Sequence, residues 1–573
     1  MTSKYMRAAA VALLLAIACA LLFSGALEAG WAYDDPAHLN FVTTYSPWQY
    51  FTVRDVLRLQ SYAHITPWNA LFYEIGLALG AGVDPRWHHL HLVLVVWATA
   101  FATWVLLKRW LGESRALIGA LLFLAMPATA GLAWALTIGH YAYGLLFAVS
   151  ALLAFAHAIE KRSLLAGCLA AFLYAMACLS KELYVPLPLL LLLWPEGTLL
   201  DRLRVAAPSL LVAVGYAVLR WWVVGGLGGM QGESGSSSAL LFQPATAWSL
   251  LGGLQSLSFG AGTLGAIATV LTAVAVLLPG RRPRQLSIVF VVASLGVLLF
   301  PIVALVRQGA EAEAHRFICF VAWALAVLVA WRLPGRRGGL AFAVVGCAIA
   351  VVLGTSLVVA QHVAVRALIA HTEVLKSEYD FMMQAEPDAV LRPKNFRRVG
   401  YLNSMARVVT VVTGRKTATV LQNDDELAAL GTARGRLAWA WQDDCHCLRP
   451  LGERYDQQTQ RFVQRLEAGR NQILGVRLSL EDHTLTKTLR WQLTGVGGEA
   501  WADMASAGRF GVANPGDYTF GLDFTSEVEN PMRIRFTAEA ADGSLIRTPI
   551  FTLPLNESSK LEWPPAITVL EGR

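Results

Sequence analysis

The chain has 573 residues, 55% of them hydrophobic and only 15% charged, with a mean hydropathy of +0.49. Soluble proteins carry about 25% charged residues, so the composition excludes an ordinary soluble enzyme. The formal charge is +7 and the pI about 9.0, which would point to nucleic acid only if the charge were gathered on one surface.

A bilayer-spanning helix needs roughly 20 apolar residues, and eleven runs qualify. They lie near 8–27, 88–107, 116–134, 142–159, 163–179, 183–195, 206–224, 262–279, 286–306, 316–332 and 339–360. The sixth is short and carries Pro186 and Pro188. The first could also be read as a signal peptide, with Lys4 and Arg7 before it and Ser24-Gly25-Ala26 as a cleavage site. Ten further spans favour an uncleaved helix. The expected fold class is a polytopic α-helical membrane protein carrying a C-terminal extracytoplasmic domain.

Loop charge orients the spans. With the N-terminus inside, the inner loops hold fifteen Lys and Arg against four acids, the outer loops seven against ten, and the tail 25 against 26. Excess Lys and Arg in short loops marks the cytoplasmic side. An odd number of spans places the tail outside, in the periplasm if the host is bacterial. The net charge therefore records topology, and nucleic acid is not needed to explain it.

Ionisable side chains are nearly absent from the middles of the spans. They gather at the outer rim instead, where Asp34, Asp35, His38, Arg54, Arg58, His64, His140, Lys181, Glu182, Arg220, Arg307, Glu311, Glu313, His315 and Arg316 stand. Intramembrane charges mark ion pathways, and a coupled transporter keeps its site near the midplane. This distribution suits an enzyme working at the outer surface. A transporter or lipid-linked-sugar flippase is the runner-up.

The long first outer loop, 28–87, opens with Trp31-Ala32-Tyr33-Asp34-Asp35-Pro36-Ala37-His38-Leu39-Asn40. Adjacent carboxylates repel, so their proton affinities are expected to separate. One that stays ionised can take a proton from an acceptor hydroxyl. On composition alone the pair also reads as a solvated turn begun by Asp35-Pro36. Further along stand Thr66-Pro67-Trp68, Gly82-Val83-Asp84-Pro85, His88-His89-Leu90-His91, Pro127 to Trp134, Ser180-Lys181-Glu182 with Pro186-Leu187-Pro188, and His315-Arg316-Phe317.

In that order, over about 300 residues, these motifs resemble the GT-C superfamily of membrane glycosyltransferases, which use polyprenyl-phosphate-linked sugars. Bacterial relatives of the protein O-mannosyltransferases are the members they resemble most. The resemblance implies that Asp34 is the catalytic base, with Asp35 its partner or the alternative base. It implies that Arg316 contacts the lipid phosphate, with Lys181, Arg220, Glu182 and His140 as further donor-site residues. His38 and Asn40 would support the loop or the acceptor. Transfer of a hexosyl or pentosyl unit would be inverting, to a glycan, lipid or protein acceptor. The enzyme would sit in the inner (plasma) membrane.

Alternatives remain on the residues themselves. Arg316 and Arg220 also fit interfacial snorkelling beside headgroups, and Lys181-Glu182 fits a local ion pair closing a tight hairpin. The sequence departs from the tetratricopeptide-containing relatives at Gly139-His140-Tyr141, where no acid follows. No tetratricopeptide repeat is visible in the tail. A metal site built on that acid loses its ligand, so no cofactor is assigned and a divalent metal stays open. His140 reads as a substitute contact or as a polar helix end. His88, His89 and His91 diverge by about 100° per residue on a helix, which favours packing over one shared ion. A non-catalytic relative that binds lipid-linked sugar is the third reading.

Three domains are expected: a transmembrane transferase-like domain over 1–360, a mixed α/β segment over 361–470 and a β-rich domain over 471–573. Residues 361–384 should extend the last span as a helix. Period-two runs at Leu474–Leu480, Tyr518–Phe524 and Met532–Phe536, with turns at Asn514-Pro515-Gly516-Asp517 and Asp542-Gly543, predict a small β-sandwich. Cys19, Cys168, Cys178, Cys319 and Cys347 fall in spans as small apolar residues. Cys445 and Cys447 flank His446 and favour a disulfide, local or intermolecular, over half a zinc site.

Overall fold

The computed structural model describes residues 2–225, 311–332 and 340–455, except 33, 62–63, 193, 195, 396–398, 423 and 453. It also describes four isolated residues between 263 and 270, and the backbone of nine strands between 473 and 569. The expected eighth and ninth spans, Tyr33 and Arg307 lie outside the described residues.

The helices, in chain order, are α1 (Thr2–Phe23), α2 (Asp35–Val42), α3 (Gln49–Thr52), α4 (Arg54–Gln60), α5 (Pro67–Gly76) and α6 (Pro85–Leu111). There follow α7 (Glu113–Ala125), α8 (Pro127–Trp134), α9 (Gly139–Lys161), α10 (Leu164–Ser180), α11 (Leu187–Leu192) and α12 (Leu199–Val224). Beyond them come α13 (Glu311–Arg332), α14 (Leu340–Gln384) and α15 (Val399–Thr413). Among the described residues, four segments, Tyr5–Glu28, Pro85–Leu111, Leu136–Lys161 and Leu199–Val224, are long and apolar enough to cross a membrane. Shorter apolar helices at Leu164–Ser180, Cys319–Trp331 and Val351–Val363 fall on the expected fifth, tenth and eleventh spans.

Two expectations change. The third span is a broken helix: α7 and α8 meet at 65°. Met126 is extended there and Pro127 opens α8, because proline disfavours helical geometry in the residue before it. Among the described residues of the expected sixth span, helix is limited to the end of the 3₁₀ turn Glu182–Tyr184 and the six-residue α11.

Local chemistry explains where the long helices begin and end. Asp84 caps α6 by accepting from the Arg86 amide at 3.0 Å, and Pro85 occupies the first turn. Gly112, at φ +77°, stops it. Ser163 caps α10, and Thr198 with Asp201 forms a capping box on α12. Residues 361–384 do continue the last apolar run, as one 45-residue helix, α14.

The chain divides into two compact units. One comprises Met1–Asp388, Pro393–Val420 and Trp441–Leu448, and the other Ala389–Arg392, Leu421–Ala440 and Arg449–Arg573. In the first unit α15 packs on α2, with Leu402, Met405, Val408 and Val409 buried. Cys445 and Cys447 form a disulfide with each other, the local pairing among the expected alternatives.

In the second unit, β1 (Val390–Arg392) runs parallel to β2 (Trp439–Gln442), pairing Leu391 with Trp439. The period-two runs are strands as expected. They are β3 (Ile473–Leu480), β4 (Gly516–Asp523) and β5 (Met532–Glu539). β3 pairs antiparallel with β4 over its whole length. Gly516 and Asp517, expected in a turn, are the first residues of β4.

Candidate functional site

The site grows from the start of α2. Trp31 is fully buried and its indole donates to the Val83 carbonyl at 3.0 Å. That bond ties the loop to the segment entering α6. Asp34 then occupies the N-cap of α2, but its side chain does not cap the helix. The carboxylate is exposed.

Asp35 has the opposite environment, at 2% exposure. Its Oδ1 accepts from the Tyr73 hydroxyl at 2.6 Å, and its Oδ2 from the Ala32 amide at 2.7 Å. The Thr137 amide is a third donor. Burial pushes the Asp35 carboxyl up to about 7, against these three hydrogen bonds and with the help of the Asp34 charge. A carboxyl raised to about 7 carries only about half a charge at pH 7, so it repels a charge at Asp34 less than an ordinary carboxylate would. The two adjacent acids are thus physically distinct, one in solvent and one locked into the fold.

His38 lies one turn along α2, on the Asp35 side. Asn69 Nδ2 stands 3.1 Å from its Nε2, and its ring stacks on Tyr73 with centroids 5.4 Å apart. Burial lowers this imidazole to about 4, opposed by the Asp34 charge. His38 is therefore neutral at pH 7. Asn40 supports the loop through its carbonyl, which accepts from the Thr43 and Thr44 hydroxyls at 3.0 and 2.8 Å.

Opposite signs follow for stability. Between about pH 4 and 7 the folded chain keeps a proton on Asp35 that the unfolded chain has lost, so stability falls as pH rises. Between about pH 4 and 6.5 the unfolded His38 gains a proton that the folded ring refuses, so stability rises with pH. Together the two contributions offset. Asp35→Asn should unmask the rising slope and His38→Gln the falling one, each at most about 1.4 kcal/mol per pH unit. Melting temperatures across this range check it, and parallel curves in wild type and both variants would contradict it.

A second group gathers between α9, α10 and α12. Lys181, just past α10, is only 4% exposed. Its Nζ lies 3.6 Å from Glu182 Oε1 and 5.3 Å above the Tyr141 ring. Glu182 Oε1 also contacts His64 Nδ1. Burial pushes the Glu182 carboxyl up, but the Lys181 charge and then His64 more than reverse this, leaving it well below the usual carboxylate range. Arg220, 5% exposed, acts on Tyr216 through its charge, as does Glu182. His140, 7% exposed, packs its ring on Tyr141 at 4.6 Å.

The two groups meet through one segment. Thr137 donates to Asp35, and His140 and Tyr141 follow in the first turn of α9. Tyr184 closes the other side by donating to the Tyr141 carbonyl at 2.9 Å. Asp35, His38, His140, Lys181, Glu182 and Arg220 are thus linked at one end of the helices. In α13, Cys319 Sγ lies 3.8 Å from the Tyr184 hydroxyl, which puts the backbone of Arg316 one turn from this hairpin. The Arg316 side chain, and with it the expected phosphate contact, lies outside the described residues.

Tyr73, Asn69, Thr137, Tyr141 and Tyr216 have no motif of their own and were not expected here. The histidine triple packs: His88 and His89 are buried, His88 against Trp31 and Tyr73, while His91 stacks on Phe72 at 5.1 Å. A Cβ added at Gly76 would lie 2.2 Å from the His88 ring, so α5 seats directly on α6. Among the described residues no three His, Cys, Asp or Glu side chains form a ligand set for a metal. Chemically, the arrangement offers an exposed carboxylate beside a neutral imidazole, joined to buried cations able to meet a phosphate.

Comparison with solved structures finds the Archaeoglobus fulgidus oligosaccharyltransferase, solved in complex with Zn and sulfate, at 14% identity and a TM-score of 0.36. That match covers 71% of this chain and 61% of the archaeal one. ArnT from Cupriavidus metallidurans in the apo state matches at 14% identity and a TM-score of 0.43, covering 83% of this chain and 93% of ArnT. ArnT bound to undecaprenyl phosphate matches at 14% identity and a TM-score of 0.39, covering 77% and 93%. The chain therefore spans about three fifths of the length of the archaeal protein. No family model and no curated protein matches.

Proposed function

We propose that the protein is an integral-membrane glycosyltransferase that moves one sugar from a polyprenyl-phosphate donor to an acceptor hydroxyl. The observation that carries this reading is the pairing of an exposed Asp34 with a buried, hydrogen-bonded Asp35, linked to the buried cations Lys181 and Arg220. The acceptor is a glycan, a lipid or a protein, and the bilayer holds the donor's lipid chain.

In this reaction Asp34 takes the proton of the acceptor hydroxyl. The acceptor oxygen attacks the anomeric carbon from the face opposite the phosphate, and the bond from that carbon to the phosphate oxygen breaks. The electron pair leaves on the phosphate, where Lys181 and Arg220 stabilise it, with Arg316 as a further contact. A phosphate leaving group needs little acid assistance, so a single base and cations suffice. This differs from the two flanking carboxyl groups of a glycoside hydrolase. Inversion at the anomeric carbon follows from the single displacement. No step here runs through a metal ion.

The reading places the N-terminus in the cytoplasm, with the 28–87 loop and the C-terminal region outside the plasma membrane. It treats 1–360 as the transferase domain, with 361–470 and 471–573 as extracytoplasmic accessories. Purified protein is tested with a panel of polyprenyl-phosphate sugars, following release of polyprenyl phosphate and the configuration of the product. Lipid-linked sugar that crosses vesicles without any covalent product would favour the flippase reading instead. Addition of a chelator reads the metal requirement.

A further inference from the structure

We infer that Asn69 and Tyr73, on one face of α5, are positioning residues that hold α2 so that the Asp34 carboxylate meets the acceptor hydroxyl. The inference rests on the proposed transfer reaction and extends its machinery to a helix that no motif assigns to it.

The geometry is a two-rung clamp. Residues four apart on a helix share a face, and Asn69 and Tyr73 present theirs to α2 while 3% and 0% exposed. Asp35 and His38, three apart on α2, share the facing side. Tyr73 donates to Asp35 at 2.6 Å and Asn69 meets His38 at 3.1 Å. The stacked rings of His38 and Tyr73 close the space between the rungs.

The clamp has a rigid base. Gly76 lets α5 sit against the buried His88 ring of α6, and Phe72, between the two rungs in sequence, stacks on His91. Positional order therefore runs from the long helix α6 to α5, then to α2 and its N-cap. The Asp34 side chain does not cap its own helix, so its aim follows the backbone that these contacts hold. A misplacement of 1 Å between reacting groups costs on the order of 10²-fold in rate.

The test uses the full chain in detergent or nanodiscs. Tyr73→Phe removes one hydroxyl and keeps the ring, and Asn69→Ala removes the second rung. Each should lower kcat roughly tenfold or more, with KM for the lipid-linked donor within about twofold, because the donor-side cations are untouched. Since Tyr73 acts through Asp35, the double variant Tyr73→Phe/Asp35→Ala should be no slower than Asp35→Ala alone, in which the rung is already lost. The same holds for Asn69→Ala on a His38→Ala background.

An unchanged kcat in both single variants overturns the inference. So do losses that multiply in the double variants, or a kcat and KM that decline together in step with melting temperature. Wild-type protein that turns over no donor sinks the transfer reading, and this inference with it, before any variant is compared. The two failures are thereby told apart.

Discussion

Asp34→Asn is expected to slow sugar transfer by roughly 10²–10⁴-fold, the contribution of a positioned general base, while donor binding is retained. Asparagine keeps the size and the exposed position of Asp34 but accepts no proton. Asp35→Asn should cost much less. Its amide oxygen can still accept from the Ala32 and Thr137 amides, and its NH₂ can donate to the Tyr73 oxygen if that hydroxyl turns. Burial raises the Asp35 carboxyl to about 7, so at pH 7 the substitution removes about half a charge where an ordinary carboxylate would lose a full one. Single-turnover release of polyprenyl phosphate, with donor affinity measured in parallel, separates the two. A larger defect in Asp35→Asn would exchange the roles, and turnover equal to wild type in both would remove the carboxylates from the chemistry.

Lys181→Met should damage both stability and donor affinity, for separable reasons. Lys181 is 4% exposed and faces Glu182 at 3.6 Å. Breaking a fully buried ion pair costs about 3–5 kcal/mol, and the cost here should be smaller because Glu182 is 27% exposed and keeps its contact with His64. Loss of a charged hydrogen bond to phosphate costs a further 1.5–3 kcal/mol of binding, by order of magnitude, or roughly 10- to 100-fold in Kd. The double variant Lys181→Met/Glu182→Gln removes the stranded charge, so melting temperature should recover while donor affinity does not. If both recover, Lys181 serves only the local ion pair, the alternative already legible in the sequence. Thermal melting and titration with an undecaprenyl-phosphate donor read the two effects independently.

Legibility in the sequence tracked the range of the interactions. The apolar runs and the alternating runs at Leu474–Leu480 and Tyr518–Phe524 are local patterns that survive in the fold, the latter in the strands Ile473–Leu480 and Gly516–Asp523. The break at Met126 was hidden because the run is apolar throughout. Only Pro127 signalled it, and a proline within a span is often absorbed by neighbouring helices.

At the site, the residue types Asp34, Asp35, Lys181, Glu182 and Arg220 were visible as polar exceptions at the ends of apolar runs. Their division of labour was not. Asp34 and Asp35 are equivalent in composition, and one faces solvent while the other is buried because α2 begins between them and turns Asp35 toward α5. Hydropathy is a sum over neighbours along the chain, so spans, loop charge and strand periodicity could be read without a fold. Tyr73 meets Asp35 across 38 residues, and His64 meets Glu182 from a separate loop. Such pairings depend on how α2, α5, α10 and α12 pack. No local pattern carries that information, so the charge asymmetry and the spans belong to the sequence, and the partners of each acid to the tertiary fold.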